Sequence, residues 1–308
     1  DGTELWSDTI SHYTRWGWNK VQYLPETGNY LVWADQLMLI DPQTGVVKRM
    51  TVNTGRYGVP VGLSKKDHST NHNSDADYAF TPYVDRGYWT GIKSNIVFKD
   101  NLIYLADGED LYCMDYDLNV KWFTQLPKDK TSAMHINIDG DHITLLSSGL
   151  AYLEGCSYEV GKPFVAQYDL ATGKQYFLNY LKIEGKILDA YLGKDKAFYM
   201  TSAGLNVVSD FQNQQVNLYG KDVIGKSNEL SHHEKYSVDG DKLMNFYCNG
   251  NEVVLNGKDG MSRLFDGNTG KVVKEVAENQ LYDKGENGIY TCMSRNKKGE
   301  IDEENPSN

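Results

Sequence analysis

The 308-residue sequence predicts an all-β fold, on three observations. It holds 22 Tyr, 6 Trp and 29 Gly but only 7 Pro, the balance expected of many short aromatic strands punctuated by turns. No stretch sustains a helical period, although residues 51–88 leave room for a short helical turn. Third, one pattern recurs: an alternating strand ending in Asp, a short turn carrying Thr-Gly or Leu-Asn, then a second alternating strand.

Gly2-Thr3-Glu4-Leu5-Trp6 reads as the turn and outer strand of this pattern without its first half. Full copies follow as LMLIDPQTGVVKRM (37–50), LYCMDYDLNVKWFTQL (111–126), FVAQYDLATGKQYFLNY (164–180) and SRLFDGNTGKVVKEV (262–276), with a degraded copy, LNVVSDFQNQQVNLYG, at 205–220. Asp can cap such a turn with its carboxylate, and Gly or Asn accepts the positive φ of a tight hairpin. Ahead of the copies stand further hairpin signals: VQYLPETGNYLVW, IVFKDNLIYLA, INIDGDHITLL, AYLGKDKAFYM and YSVDGDKLMNF. The tail supplies another in ENGIYTCMSRNKKGEI (286–301).

Two hairpins per unit make four strands, one blade of a β-propeller. Turn spacings of about 40 to about 75 residues predict about six blades, or seven. The N-terminal strand is expected to complete the C-terminal blade, a closure that leaves no open sheet edge. The expected organisation is a single propeller domain over residues 1–308, with an insertion at 55–89 and a frayed acidic tail at 302–308.

Charge narrows the partners. A net charge of −11 at pH 7 repels phosphate backbones, so nucleic acid is not expected. No apolar run is long enough to span a bilayer, and DGTELWSDTI is too polar for a retained signal peptide. A start inside a repeat suits a mature chain whose leader, and a lipid anchor with it, lay upstream. Cys113, Cys156, Cys248 and Cys292 are too widely spaced for a metal knuckle or a thioredoxin-type pair and read as small buried hydrophobes, with a disulfide left open.

The strand, D-x-x-T-G-K, strand pattern resembles the repeats of PQQ-like β-propellers, the group that includes BamB-like outer-membrane assembly lipoproteins and quinoprotein dehydrogenases. That resemblance implies a periplasmic or cell-surface protein, secreted or lipid-anchored. The dehydrogenases of the group carry eight blades, a calcium beside the quinone and often a disulfide between adjacent cysteines. This sequence has no adjacent cysteines and no recognisable calcium or quinone ligand set, so PQQ is not expected. The DGD strings at 139–141 and 239–241 are turns rather than calcium loops, which need a longer acidic pattern ending in Glu. GxSxG, HExxH and GxxxxGK[ST] are absent.

Two groups of residues could carry chemistry. Aligning the innermost strands on Leu24, Phe98, Ile138, Leu192 and Val238 sets Val21, Asn95, His135, Asp189 and Lys235 at one height, facing a central channel. His12, Lys93, His232 and His233 lie just outside. Asn95, His135, Asp189 and Lys235 could bind an anionic sugar, with or without a divalent metal. His135, Asp189, Lys235 and His233 could act as acid and base, because neighbours tune each pKa. A wet channel tolerates the same polar residues without function. The second group is the 55–89 insertion, where Tyr83, Tyr88 and Trp89 offer a contact surface, and His68, His72 and Asp75 a weaker metal set. The expectation is a monomeric, non-catalytic binding or scaffolding propeller for a protein or glycan, with no obligatory cofactor; the alternative is a carbohydrate-active or sulfo-transfer enzyme using the channel residues.

Overall fold

The computed structural model describes residues 3–7, 20–33, 37–52, 77–80, 94–107, 110–127, 133–153, 156–159, 161–201, 203–219, 245–249, 251–256, 261–276, 280–284 and 290–294. Among them every regular element is a β-strand, and no helix is long and apolar enough to cross a membrane. The chain divides into two compact units, residues 1–145 with 167–176, and residues 146–166 with 177–308.

In the first unit, strands β1 (Lys20–Leu24), β2 (Asn29–Trp33), β3 (Leu37–Ile40) and β4 (Val47–Val52) form an antiparallel meander, extended by β5 (Asp77–Phe80). Strand β5 pairs with β4 in parallel, from Arg49↔Asp77 to Val52↔Phe80. The next meander is β6 (Val97–Lys99), β7 (Leu102–Asp107), β8 (Asp110–Asp115) and β9 (Val120–Gln125). A third sheet takes β10 (Met134–Asp139), β11 (His142–Ser147), β14 (Phe164–Asp169) and β15 (Gln175–Tyr180), in that order, and contributes to both units. Between β11 and β14 the chain makes a separate hairpin of β12 (Leu150–Leu153) and β13 (Cys156–Glu159).

The second unit holds two further antiparallel meanders. One is β16 (Ile187–Leu192), β17 (Ala197–Thr201), β18 (Gly204–Asp210) and β19 (Gln215–Tyr219); the other is β20 (Asn245–Asn249), β21 (Glu252–Asn256), β22 (Ser262–Asp266) and β23 (Val272–Val276). The hairpin of β24 (Gln280–Lys284) and β25 (Tyr290–Ser294) follows. The expected all-β succession of strands is what the chain builds, with four four-stranded sheets and one of five strands among the described residues.

Burial explains the sequence pattern of each blade. The second and third strands are covered on both faces, so they read as apolar runs rather than alternating ones: LMLI in β3 and AFYMT in β17 are buried throughout. The fourth strand is less covered, and in β9 it alternates: Lys121, Phe123 and Gln125 are exposed while Val120, Trp122 and Thr124 are half-buried. In the first unit Leu31, Leu37, Leu39, Ile103, Leu105, Tyr112 and Met114 pack into one cluster. Phe198, Met200, Leu205, Val207, Val253 and Phe265 form another in the second unit.

Two sequence readings are corrected. The inner hairpin of the β20–β23 sheet is NFYCN–EVVLN, turning at residues 250–251, rather than YSVDGDKLMNF. The tail hairpin pairs Gln280–Lys284 with Tyr290–Ser294, so it turns at 285–289.

Candidate functional site

Each blade's third-to-fourth-strand turn is built by one Asp. Asp41 Oδ1 accepts the backbone N–H of Gln43 and Thr44 at 2.8 and 3.1 Å, and Asp169 Oδ1 accepts that of Thr172 at 2.8 Å. Asp115, Asp210 and Asp266 do the same for Asn119, Asn213 and Asn268. These bonds favour the ionised form and hold the carboxyls below the usual range. For Asp41 the side-chain bond to Lys48 is the largest cause and brings it to about 2. Asp169 is lowered chiefly by the Thr172 hydroxyl, Asp210 and Asp266 chiefly by backbone N–H groups. At Asp115 burial opposes the shift, but bonds to Lys121 and Asn119 outweigh it. The sheet register slips beside the turn in four of these blades, at Leu39/Ile40, Cys113/Met114, Val208/Asp210 and Leu264/Phe265. Such a bulge re-aims the strand that leaves the turn.

Four residues after the Asp, Gly45 and Gly173 adopt φ of +70° and Gly270 +67°. Each lies under an aromatic ring: Trp6, Trp122 and Tyr219 respectively, so close that a Cβ would run into it. Both indoles also donate to the carbonyl after the Asp, Trp6 Nε1 to Pro42 O at 2.9 Å and Trp122 Nε1 to Leu170 O at 3.3 Å. At the Asp210 turn Asn179 Nδ2 donates to the equivalent carbonyl of Phe211 at 2.9 Å, and the glycine place is held by Gln214 at φ +57°. The sequence carries one signal for these sockets, Gly at Asp+4. Their occupants escape it, because the aromatic stands at Asp+7 in Trp122 and Asp+9 in Tyr219.

The candidate channel residues are placed in part. Leu24↔Asn29, Phe98↔Ile103 and Leu192↔Ala197 pair identically, so Val21 and Asp189 share one position in their strands, while Asn95 lies ahead of β6. Val21 is exposed; Asn95, His135 and Asp189 are half-buried. Asn95 and His135 come to neighbouring chain segments, since the Asn95 amide donates to Ile136 O at 2.9 Å and accepts from Ile136 N at 2.7 Å. Asp189 belongs to the other unit, where its Oδ1 accepts the N–H of Ala190 at 3.0 Å. In the β20–β23 sheet the pair Cys248↔Val253 takes the place given to Val238, so the position assigned to Lys235 falls to Asn245. Lys235, His233, His232, His12, Lys93, Tyr83, Tyr88, Trp89, His68, His72 and Asp75 lie outside the described residues. Among the described residues no group of three or more His, Cys, Asp or Glu is placed to hold a metal ion.

No family model matches the chain, and no curated protein matches it. Among solved structures it is similar to BamB from Moraxella catarrhalis, with 11% identity and a TM-score of 0.41 over 96% of this chain and 75% of that one. It is also similar to the WD40 beta propeller domain of Doa1, with 10% identity and a TM-score of 0.42 over 89% of this chain and 74% of that one.

Proposed function

We propose that the chain is a binding scaffold for a protein partner, acting in the periplasm or at the cell surface. The observation that carries this reading is the distribution of connections. In each meander the first-to-second and third-to-fourth turns leave from one end and are short, as at 25–28, 41–46, 100–101 and 116–119. The long segments 81–96, 148–163 with its extra hairpin, and 220–244 all leave their sheets at the opposite end, as does 53–76, which leaves β4 there before β5 pairs with β4 in parallel. Each blade is thus plain at one end and elaborated at the other, the division of labour by which a rigid scaffold presents binding loops. The aromatic residues Tyr83, Tyr88 and Trp89 belong to one of these segments and supply contact area at low entropic cost. The resemblance of the turn motif to PQQ-like repeats supports the extracytoplasmic setting. Photo-crosslinking from Trp89, compared with a Tyr83→Ala, Tyr88→Ala double variant, tests the reading. A specific adduct that the double variant loses is expected; adducts indifferent to the substitutions would overturn it.

A second reading, a glycan or sulfated-sugar site, has the approach of Asn95 to the His135 segment in its favour. A thermal-shift screen against acidic and sulfated oligosaccharides, with and without a divalent metal, would give a shift that His135→Ala abolishes. No shift with any of them would remove this reading.

A further inference from the structure

Six Asp-Gly pairs occur in the sequence, and the structure describes both residues of two, Asp139-Gly140 and Asp266-Gly267. Both sit in hairpin turns of four-stranded sheets, the first between β10 and β11, the second between β22 and β23. Their surroundings are opposite. Gly267 is buried; its N–H donates to Asn251 O at 2.6 Å, and that carbonyl and the Phe198 ring stand where a Cβ would go. Asp266 Oδ1 is occupied too, by the N–H of Asn268 at 2.7 Å, the chief cause that keeps this carboxyl below its usual pKa range. At the other turn Asp139, Gly140 and Asp141 are exposed, and Gly140, at φ +57°, has no neighbour within 4 Å of the place a Cβ would take. Neither the Gly140 N–H nor the Asp139 carboxyl has a hydrogen-bond partner among the described residues.

We propose that Asp139 is a site of spontaneous covalent modification, isomerising to isoaspartate through a cyclic imide with Gly140, while the buried Asp266-Gly267 pair is protected. In the first step the Gly140 nitrogen bonds to Asp139 Cγ; its proton and the carboxyl hydroxyl leave together as water. Water then adds to the imide. Addition at Cγ breaks the new bond and restores Asp; addition at the main-chain carbonyl breaks the original peptide bond and leaves the chain running through the side chain. The product is an isomer with an extra methylene in its backbone and a carboxylate on Cα, and no oxidant or cofactor is consumed. Glycine favours ring closure because no Cβ crowds the attacking nitrogen. That nitrogen must be free of other bonds, as it is at Gly140 and is not at Gly267. The extra methylene falls in a two-residue turn, where loop length sets strand register. It also displaces Gly140 O, which accepts Lys99 Nζ, and His142, whose ring lies 5.1 Å from that of Tyr176. The site depends on neither reading of the function.

Ageing the full-length protein tests this. After incubation in warm neutral buffer, peptide mapping with a fragmentation that distinguishes the two linkages should show isoaspartate building up at 139 and staying at its starting level at 266. In urea, where both turns are open, the two positions should isomerise alike. Asp139→Glu, whose imide is a larger and slower-forming ring, should lose the product. Asp139→Asn should speed it, with ammonia leaving in place of water and a mass gain marking the reaction. Absence of isoaspartate at 139 in the folded chain, its persistence there in Asp139→Glu, equal build-up at 266, or silence at 266 even in urea would overturn the proposal.

Discussion

The indole of Trp122 lies across Gly173 and donates its N–H to the carbonyl of Leu170 at 3.3 Å, while Thr124 of the same strand donates to Gly173 O at 2.6 Å. One outer strand is thereby bound to the turn of the sheet that follows it in sequence. Trp122→Ala should cost about 3 kcal/mol by chemical denaturation, within the range for removing a large core aromatic. Gly173→Ala should cost about 2 kcal/mol, since left-handed backbone is unfavourable for a residue with a Cβ and the new methyl meets the ring. Because both act on one contact, the double variant should lose less than the sum of the two.

Two buried tyrosines should respond oppositely to loss of their hydroxyl. Tyr199 OH donates to Ser147 O at 2.9 Å, whereas Tyr168 OH, equally buried, has no hydrogen-bond partner among the described residues. Burial raises the pKa of both phenols, so neither is ionised at neutral pH. Tyr199→Phe should lose about 1 kcal/mol, and Tyr168→Phe should be neutral or up to about 1 kcal/mol more stable. Denaturation midpoints of the two variants decide it.

Asn95→Ala should lose about 2 kcal/mol, because the Asn95 amide both donates to and accepts from the backbone of Ile136, and its loss strands a half-buried N–H. His135→Ala, on the strand that carries Ile136, is the comparison. Equal losses from the two substitutions would contradict a bracing role for Asn95.

Acid should weaken the fold through the turns. The carboxyls of Asp41, Asp115, Asp169, Asp210 and Asp266 are all lowered in the folded chain. The unfolded chain therefore binds more protons below about pH 4, near the ordinary Asp value, and stability rises with pH through that window. The contribution is complete above the unfolded value and is lost as pH falls through the folded values, down to about 2 for Asp41. Melting temperature should be flat from neutral pH to about pH 5 and fall steeply beneath it. Asp169→Asn should flatten that fall.

Much of the fold was legible because a tight turn leaves few choices of residue. Asp41, Asp169 and Asp266, each with Gly four places on, announce the same hairpin three times, and the alternation in β9 follows from having one face covered. Registers were harder. The bulges beside Cys113 and Val208 displace the outer strands by a residue or more, so no fixed offset marks Trp122 or Tyr219. The NFYCN strand went unread because YSVDGDKLMNF matches the hairpin template more closely, whereas NFYCN is the strand that pairs with EVVLN. Parallel pairing of β5 left no periodic trace at all, since four residues are too few to show one. The candidate site suffered most, as a one-residue slip changes which side chain reaches a given height, and the reading of Lys235 rested on Val238, ten residues before the Cys248 that pairs with Val253.

Strand β5 also has a consequence for handling the protein. A bare outer strand offers a row of backbone donors and acceptors to any neighbouring molecule, the starting point of edge-to-edge growth. By lying along β4 from Arg49 to Val52, the 77–80 segment occupies that row. Trimming the long insertion to obtain a more compact protein would uncover it. Precipitation at high concentration, rather than a lower melting point, would be the first sign.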